Sequence, residues 1–272
     1  MKTVLITGSS SGYGKATAQL FLDRGWNVIA TMRRPSDNSI KGPADRLQIV
    51  ALDVTKAESI KAGVNEAIGL FGGVDVLVNN AGIGGFSPIE TTSDETIRRM
   101  FETNTFGVMA MVRAIVPHMR ERGSGTIVNV TSSVIFNPAP MVSAYTATKT
   151  AVEGFSEALY YELAPLGIHV KLMEPGYGRD TKFESNMMAL NDENSFPPSY
   201  QPQLNALMSS LPEVSTTLED AAAAVFRAAN DTSSTLRFPG GADSVAIAKK
   251  HAELSEEAFL ASMRQTFGVS HE

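Results

Sequence analysis

Residues 7–17 read TGSSSGYGKAT, directly after the apolar run TVLI (3–6). A glycine-rich turn between a buried strand and a helix presents backbone N–H groups and a helix N-terminus to a phosphate. Residue identity excludes two standard phosphate motifs. The triphosphate loop G-x-x-x-x-G-K-[ST] fits Gly14 and Lys15, but Ser9 stands where its first glycine belongs and Ala16 replaces the magnesium-holding hydroxyl. The pattern G-x-G-x-x-G fails because Gly12-x-Gly14 is followed by Thr17. What remains is G-x-x-x-G-x-G from Gly8 to Gly14, with Ser10, Ser11 and Tyr13 among its variable positions. An ordinary glycine-rich turn has the same local appearance. Lys15 reads as an exposed residue of the first helical turn.

Outward from this loop, short apolar runs alternate with helical patterns. Ala16, Leu20 and Phe21 recur at helical spacing and Gly25 stops that helix. NVIAT (27–31), LQIVAL (47–52), VDVLV (74–78), GTIVNV (125–130) and IHVKLM (168–173) are the further strand candidates. Between them lie a stripe at Ile60, Val64, Ala67, Ile68 and Phe71, a long helix spanning Ile97 to Ile115, and a helix from about Ser143 to Leu163. Uniformly apolar strands separated by helices imply an α/β fold: a doubly wound, Rossmann-type parallel sheet in three α/β/α layers. Its ligand crevice lies at the carboxyl ends of the strands. One domain over 1–272 is expected. Residues 1–176 would form the cofactor-binding and catalytic core and the Met-rich stretch 182–213 an irregular lid. Residues 214–272 would supply a helix (Leu218–Ala229), a last strand near 235–239 and a terminal helix from about Ser244 to Phe267.

Composition narrows the function. The 272 residues carry 23 basic and 29 acidic side chains, a net charge of −6, with no long basic run. Nucleic acid and anionic membranes are therefore not expected as partners. The absence of cysteine excludes disulfides and thiolate zinc sites. His118, His169, His251 and His271 show no ligand spacing, so no metal is expected. No apolar run approaches the ~18 residues of a membrane span, and KTVLI (2–6) is too short for a signal segment. A soluble, cytoplasmic protein is the expectation.

Polar clusters follow strand after strand. Asp53 comes after the third, Asn79-Asn80-Ala81-Gly82 after the fourth and Ser132-Ser133 after the fifth. Tyr145 and Lys149 stand four apart, on one face of the next helix. Singly, each has an ordinary reading as a cap, a turn or a surface pair. Together the chain resembles the short-chain dehydrogenase/reductase family. The match is Thr7-Gly8-x-x-x-Gly12-x-Gly14, Asp53, Asn79–Gly82, Asn104, Ser132, Tyr145-x-x-x-Lys149 and Pro175-Gly176, spread over about two thirds of the chain. Ser132, thirteen residues before Tyr145, fits the family spacing where Ser133 does not.

The resemblance implies hydride transfer between a nicotinamide cofactor and a carbonyl or alcohol carbon. The residue types suit that chemistry. Hydride arriving at a carbonyl makes an alkoxide that needs a proton. A free phenol, pKa about 10, is a poor base at neutral pH. A cation about 4 Å away is worth up to ~4 kcal/mol at an effective dielectric of 20, or about three pKa units. Lys149 is therefore expected to bring Tyr145 toward working pH. Ser132 would hold and polarise the carbonyl oxygen. By resemblance, Lys149 also bonds the ribose, and Asn104 kinks its helix and anchors a water for proton relay.

For the cofactor, relatives that prefer NAD end strand two with an acid. Here Met32 stands there, followed by Arg33 and Arg34. Arginine pairs with a 2′-phosphate, so NADP(H) is expected over NAD(H), with Arg33 the main contact and Arg34 secondary. Gly8, Ser10, Ser11, Gly12, Tyr13 and Gly14 would hold the pyrophosphate, Asp53 and Val54 the adenine. Asn80, Ala81, Gly82, Pro175, Gly176 and Gly178 would complete the cofactor site. The family's Pro-Gly-x-x-x-Thr lands here on Asp180, with Thr181 one later. Either Thr181 reaches the nicotinamide carboxamide through a bulge, which Gly178 favours, or Asp180 accepts from it. Phe86, Ile135, Phe136, Met141, Tyr177, Met187 and Met188 would wall a mainly apolar substrate pocket, together with Ser132 and Tyr145. The leading reading is an NADP(H)-dependent ketone or aldehyde reductase or alcohol dehydrogenase, forming a homodimer or homotetramer as relatives do. The alternatives are an epimerase or dehydratase of the same fold and a non-enzymatic NADP(H)-sensing protein.

Overall fold

The computed structural model describes residues 1–179, 181 and 196–269. Among these residues, seven apolar stretches form strands of one sheet: β1 (Thr3–Ile6), β2 (Asn27–Met32), β3 (Leu47–Ala51), β4 (Val76–Asn79), β5 (Gly125–Val130), β6 (Ile168–Pro175) and β7 (Arg237–Gly240). Every pairing is parallel, in the order β3-β2-β1-β4-β5-β6-β7. The order reverses beside β1, where Leu5 lies between Ile29 of β2 and Leu77 of β4. In open α/β sheets this reversal leaves a crevice at the strands' carboxyl ends.

Both sheet faces are covered, which suits the mainly apolar strands. On one face α1 (Gly12–Asp23) and α7 (Leu218–Asn230) bury Phe21, Leu22, Ala221 and Val225 against Val4, Val28 and Val128. On the other, α2 (Ala57–Gly69), α4 (Gly107–Arg122) and α5 (Ser143–Leu163) bury Ile60, Val64, Met111, Ile115 and Leu159 against Leu5, Ile29 and Ile127. A third apolar cluster sits at the crevice, joining Phe86, Met100, Val142 and Tyr145 to Leu207, Phe259, Met263 and Phe267 near the C-terminus.

Several expectations change in detail. The long helix is α3 (Asp94–Phe101), a π-helical turn (Glu102–Phe106) and α4. The terminal helix is two, α8 (Ala242–Glu253) and α9 (Glu256–Thr266). Ser255 starts the second by accepting from the Ala258 N–H at 3.3 Å, a capping bond that a continuous helix has no use for. Of the stretch 182–213, the described part contains a 3-10 turn (Pro198–Tyr200) and α6 (Gln201–Ser210). Asp180, Met187 and Met188 lie outside the described residues. Among the described residues no helix is long and apolar enough to cross a membrane, and no group of three potential metal ligands occurs.

Candidate active site

The opening loop is tied to the sheet rather than resting on its own helix. Thr7 Oγ1 accepts from the N–H groups of Asn80 (3.0 Å) and Ala81 (3.1 Å). The Asn80 amide donates back to the carbonyls of Thr7 (3.0 Å) and Gly8 (3.2 Å). Asn79 continues the chain inward, donating to Asn129 at 2.9 Å, which in turn donates to Ser156 at 2.9 Å. Gly8 has φ +70°, and a Cβ there would lie 2.8 Å from the Ala81 Cα. Gly14 sits beneath the loop, where a Cβ would strike the Asn80 amide and the Gly8 carbonyl. The glycine spacing thus reflects backbone laid directly on backbone.

A cavity of about 1400 Å³ opens at this sheet edge. Gly8, Ser10, Ser11, Gly12 and Tyr13 line it, as do Arg33, Asp53, Val54, Asn80, Ala81 and Gly82. Asn80 reaches it with its side chain already committed to the loop. Burial raises the Asp53 carboxyl, but hydrogen bonds from Thr55 and the charges of Arg33 and Lys56 bring it below its usual value. Thr55 supplies those bonds at 3.0 Å from its N–H and 2.8 Å from its hydroxyl. Arg34 departs from expectation. It is 78% exposed, pairs with Asp37 at 3.0 Å and does not line the cavity. The three-residue turn Pro35–Asp37 puts the acid within its reach.

Ser132, Tyr145 and Lys149 all line the same cavity. Lys149 donates to the Val130 carbonyl at 3.0 Å, and its Nζ lies 5.8 Å from the Tyr145 ring centre. Burial pushes the Tyr145 phenol up to about 12, against a hydrogen bond with Ser132 that favours the phenolate. Burial pushes the Lys149 ammonium down to about 8, against the attraction of Glu153. Burial thus opposes the lowering that the Lys149 cation is expected to give Tyr145.

Asn104 is fully buried in the π turn. Its Oδ1 accepts from the Ile83 N–H at 2.9 Å, and its Nδ2 donates to the Ile83 carbonyl (2.8 Å) and Thr148 Oγ1 (3.0 Å). It clamps the segment after Gly82 to α5, one residue from Lys149. The helix accommodates it by a π turn, a common insertion at functional sites.

Beyond β6, Pro175, Gly176, Tyr177, Gly178 and Thr181 line the cavity. The Thr181 hydroxyl donates to the Gly178 carbonyl at 3.1 Å, and its methyl faces Gly12. Two residues without a sequence motif hold this segment. Asp243, at the start of α8, accepts from the Tyr177 N–H and from Thr216 Oγ1, each at 2.7 Å. Thr216 Oγ1 accepts from the Gly176 N–H at 2.9 Å, while its carbonyl accepts from Tyr13 Oη at 3.3 Å. An acid two residues past Gly240-Gly241, opening a helix, was the one local signal of this clamp. Phe136 is also corrected. Its ring faces His251 at 5.8 Å and does not line the cavity, nor do Ile135 and Met141. Phe86 and Tyr177 do line it, and Val134, Phe196, Leu207, Ile247 and Phe267 add to the apolar wall.

Comparison with known proteins agrees with this geometry. The family described as short chain dehydrogenase matches residues 2–191. An uncharacterised oxidoreductase of Schizosaccharomyces pombe is 34% identical over 238 residues, 88% of this chain and all of that protein. A 3-ketodihydrosphingosine reductase of Bacteroides thetaiotaomicron is 40% identical over 173 residues, 64% of this chain and 62% of its own. Human retinol dehydrogenase 8 is 38% identical over 210 residues, 72% of this chain and 65% of its own. A short-chain dehydrogenase from Streptomyces avermitilis superposes with TM-score 0.82 at 35% identity, over 97% of this chain and 98% of that one. Two other solved neighbours hold different cofactors. A 3-ketoacyl-(acyl-carrier-protein) reductase from Brucella melitensis carries NADH (TM-score 0.74, 32% identity, 88% of this chain, 97% of that one). A short chain dehydrogenase from Burkholderia cenocepacia carries NADP (TM-score 0.78, 26% identity, 97% of this chain, 99% of that one). The chain belongs to the short-chain dehydrogenase family of nicotinamide-dependent oxidoreductases.

Proposed function

We propose that the protein is an NADP(H)-dependent carbonyl reductase or alcohol dehydrogenase acting on a bulky, mainly apolar substrate. The observation that carries this reading is the buried meeting of Ser132, Tyr145 and Lys149 between a dinucleotide-sized crevice and an apolar chamber. The cradle suits a dinucleotide: the backbone around Gly8 leaves no room for a side chain, and Arg33 lines the same cavity. Met32 ends β2 where an acid would repel a 2′-phosphate, which supports NADP(H). Thr181, beside Gly12, is the candidate partner of the nicotinamide carboxamide. Relatives named for a ketosphingoid base and for retinol support a lipid-like substrate.

A nicotinamide held in the crevice supplies or accepts hydride. The chain's own residues handle the oxygen and the proton. Ser132 donates to the substrate carbonyl oxygen, and Tyr145 Oη, a protonated phenol at neutral pH, donates its proton as that oxygen becomes an alkoxide. Lys149 as an ammonium steadies the phenolate left behind. The apolar wall excludes water, so these interactions act at low dielectric. Phe106 and Tyr161, 53% and 76% exposed, give α5 and the turn before α4 apolar surface suited to assembly with a second copy.

Purified protein incubated with NADPH and a panel of aryl ketones, long-chain ketones and lipid aldehydes should consume NADPH, read at 340 nm as is usual for this chromophore. Tight NADPH binding without turnover of any carbonyl, or of any alcohol with NADP⁺, would refute the reading.

A further inference from the structure

Helix α5 carries Tyr145, Lys149, Glu153 and Glu157 at four-residue intervals, and so along one face. The first two handle the proton in the reading above. Glu153 is 94% shielded (6% exposed) yet makes no direct contact with the cavity. Its Oε1 accepts from Thr131 Oγ1 at 2.6 Å and its Oε2 from Arg237 at 3.1 Å. Thr131 lies between Val130, whose carbonyl receives the Lys149 ammonium, and Ser132. Two bonds therefore join the end of β5 to α5 in opposite directions, Lys149 to Val130 and Thr131 to Glu153.

We propose that Glu153 is a positioning residue for the acid–base pair: its carboxylate is the counter-charge that keeps Lys149 an ammonium beside Tyr145, and its bond to Thr131 fixes the strand end that carries Ser132. This rests on the reading of Tyr145 and Lys149 as the proton-handling pair. Burial raises the Glu153 carboxyl above its usual value, while the hydrogen bond from Thr131 and the charge of Arg237 draw it back toward the carboxylate. The titratable and charged groups facing it and Lys149 are Tyr145 and Glu157 on α5, Glu174 on β6 and Arg237 on β7. The end of β5 and the π turn add only uncharged Thr131, Ser132 and Asn104. Glu174 is fully buried, and burial together with Glu153 pushes its carboxyl up to about 8, so it is mostly neutral at pH 7. Arg237 also binds Glu157, which is half exposed. Arg237 is thus shared among Glu153, Glu157 and Glu174, and the charge of Glu153 also acts on Lys149, where it opposes the burial that pulls the ammonium toward about 8.

The test reads Lys149 directly, without requiring a substrate. Protein labelled with 13C at the lysine ε-carbon is titrated by NMR, with the Lys149 signal assigned by its loss in Lys149→Arg. Glu153→Gln, which keeps an acceptor for Thr131, should move the Lys149 titration down by about one pH unit, the effect of removing one partly screened charge beyond contact distance. Thr131→Val, which removes the bond but no charge, should leave the titration in place. An unmoved Lys149 titration in Glu153→Gln, or equal shifts in both variants, overturns the proposal. If Glu153→Gln does not fold, Glu153→Asp carries the test: moving the charge back by one methylene predicts a smaller downward shift, and none refutes it. With an active substrate, the alkaline limb of kcat/KM should follow the NMR shift. Failure of every substrate while Lys149 still responds to Glu153 would sink the reductase reading and leave only the coupling of Glu153 to Lys149.

Discussion

Lys149 Nζ stands 5.8 Å from the centre of the Tyr145 ring and donates its hydrogen bond to the backbone, at the Val130 carbonyl. The lysine is therefore held independently of the tyrosine it serves. Tyr145→Phe should lower kcat by about 10²–10⁴-fold, the usual contribution of a general acid, with NADPH affinity nearly unchanged by fluorescence titration. In the reductive direction kcat/KM should fall as pH rises through about 8, where Lys149 loses its proton, well before the phenol titrates near 12. A rate unchanged up to pH 10 would contradict this assignment.

Arg33 and Arg34 should separate cleanly. Arg33 lines the cavity, whereas Arg34 is held outward by Asp37. A charge-assisted bond to a phosphate is worth about 1.5–3 kcal/mol, so Arg33→Ser should raise the Kd for NADPH by roughly 10- to 100-fold and leave NADH nearly unaffected. Arg34→Ser should change neither by more than about twofold, since an exposed ion pair contributes little. Calorimetric titration with both cofactors measures the four values.

Asp243 never meets the reacting atoms in the proposed chemistry, yet it holds the segment after β6. Asp243→Ala leaves the Tyr177 N–H and one bond of Thr216 unmade. The expected cost is about 1–3 kcal/mol of stability, seen as a lower urea midpoint. The KM for the cofactor should rise more than kcat falls. Asp243→Asn, which still accepts from Tyr177, should recover most of both.

Glu174 sets a pH dependence of stability. Its folded-state carboxyl is raised from 4.5 to about 8, mainly by burial. Across that window the folded protein binds more protons than the unfolded chain, so this contribution is full below about 4.5 and is lost as pH rises through 8. Glu174→Gln should match wild type in Tm near pH 5 and exceed it at pH 9. Its amide oxygen can still accept from the Phe238 N–H, which Glu174 does at 3.1 Å. Equal Tm curves would remove Glu174 from this role.

What could be read from sequence followed the range of each signal. TVLI, GTIVNV and the helix from Ser143 to Leu163 appear as expected because apolar periodicity is local. The residues of the opening loop, Ser132, Tyr145 and Lys149 meet at one sheet edge because each follows a strand or starts the next helix. Phe136 went astray because nothing local marks His251 as its neighbour, 115 positions away. Thr216 and Asp243 were missed for the same reason: their partners named above are 27 to 203 residues distant, and neither threonine nor aspartate has a diagnostic spacing there. At Tyr145 the charge spacing to Lys149 is visible in the sequence, whereas the burial that raises its phenol is not.

The stitching of Thr7 to Asn80 and Ala81 has a practical consequence for anyone recombining this protein with a relative. The residues proposed to choose the cofactor (the loop and Arg33) lie within the first 40 positions and look like a portable cassette. They are not. The loop's shape is set by bonds from residues 80 and 81, and Gly8 has no clearance from Ala81. A chimera that exchanges residues 1–40 without 79–82 would join two surfaces that were never fitted to each other, and grafts of both segments together should outperform either alone.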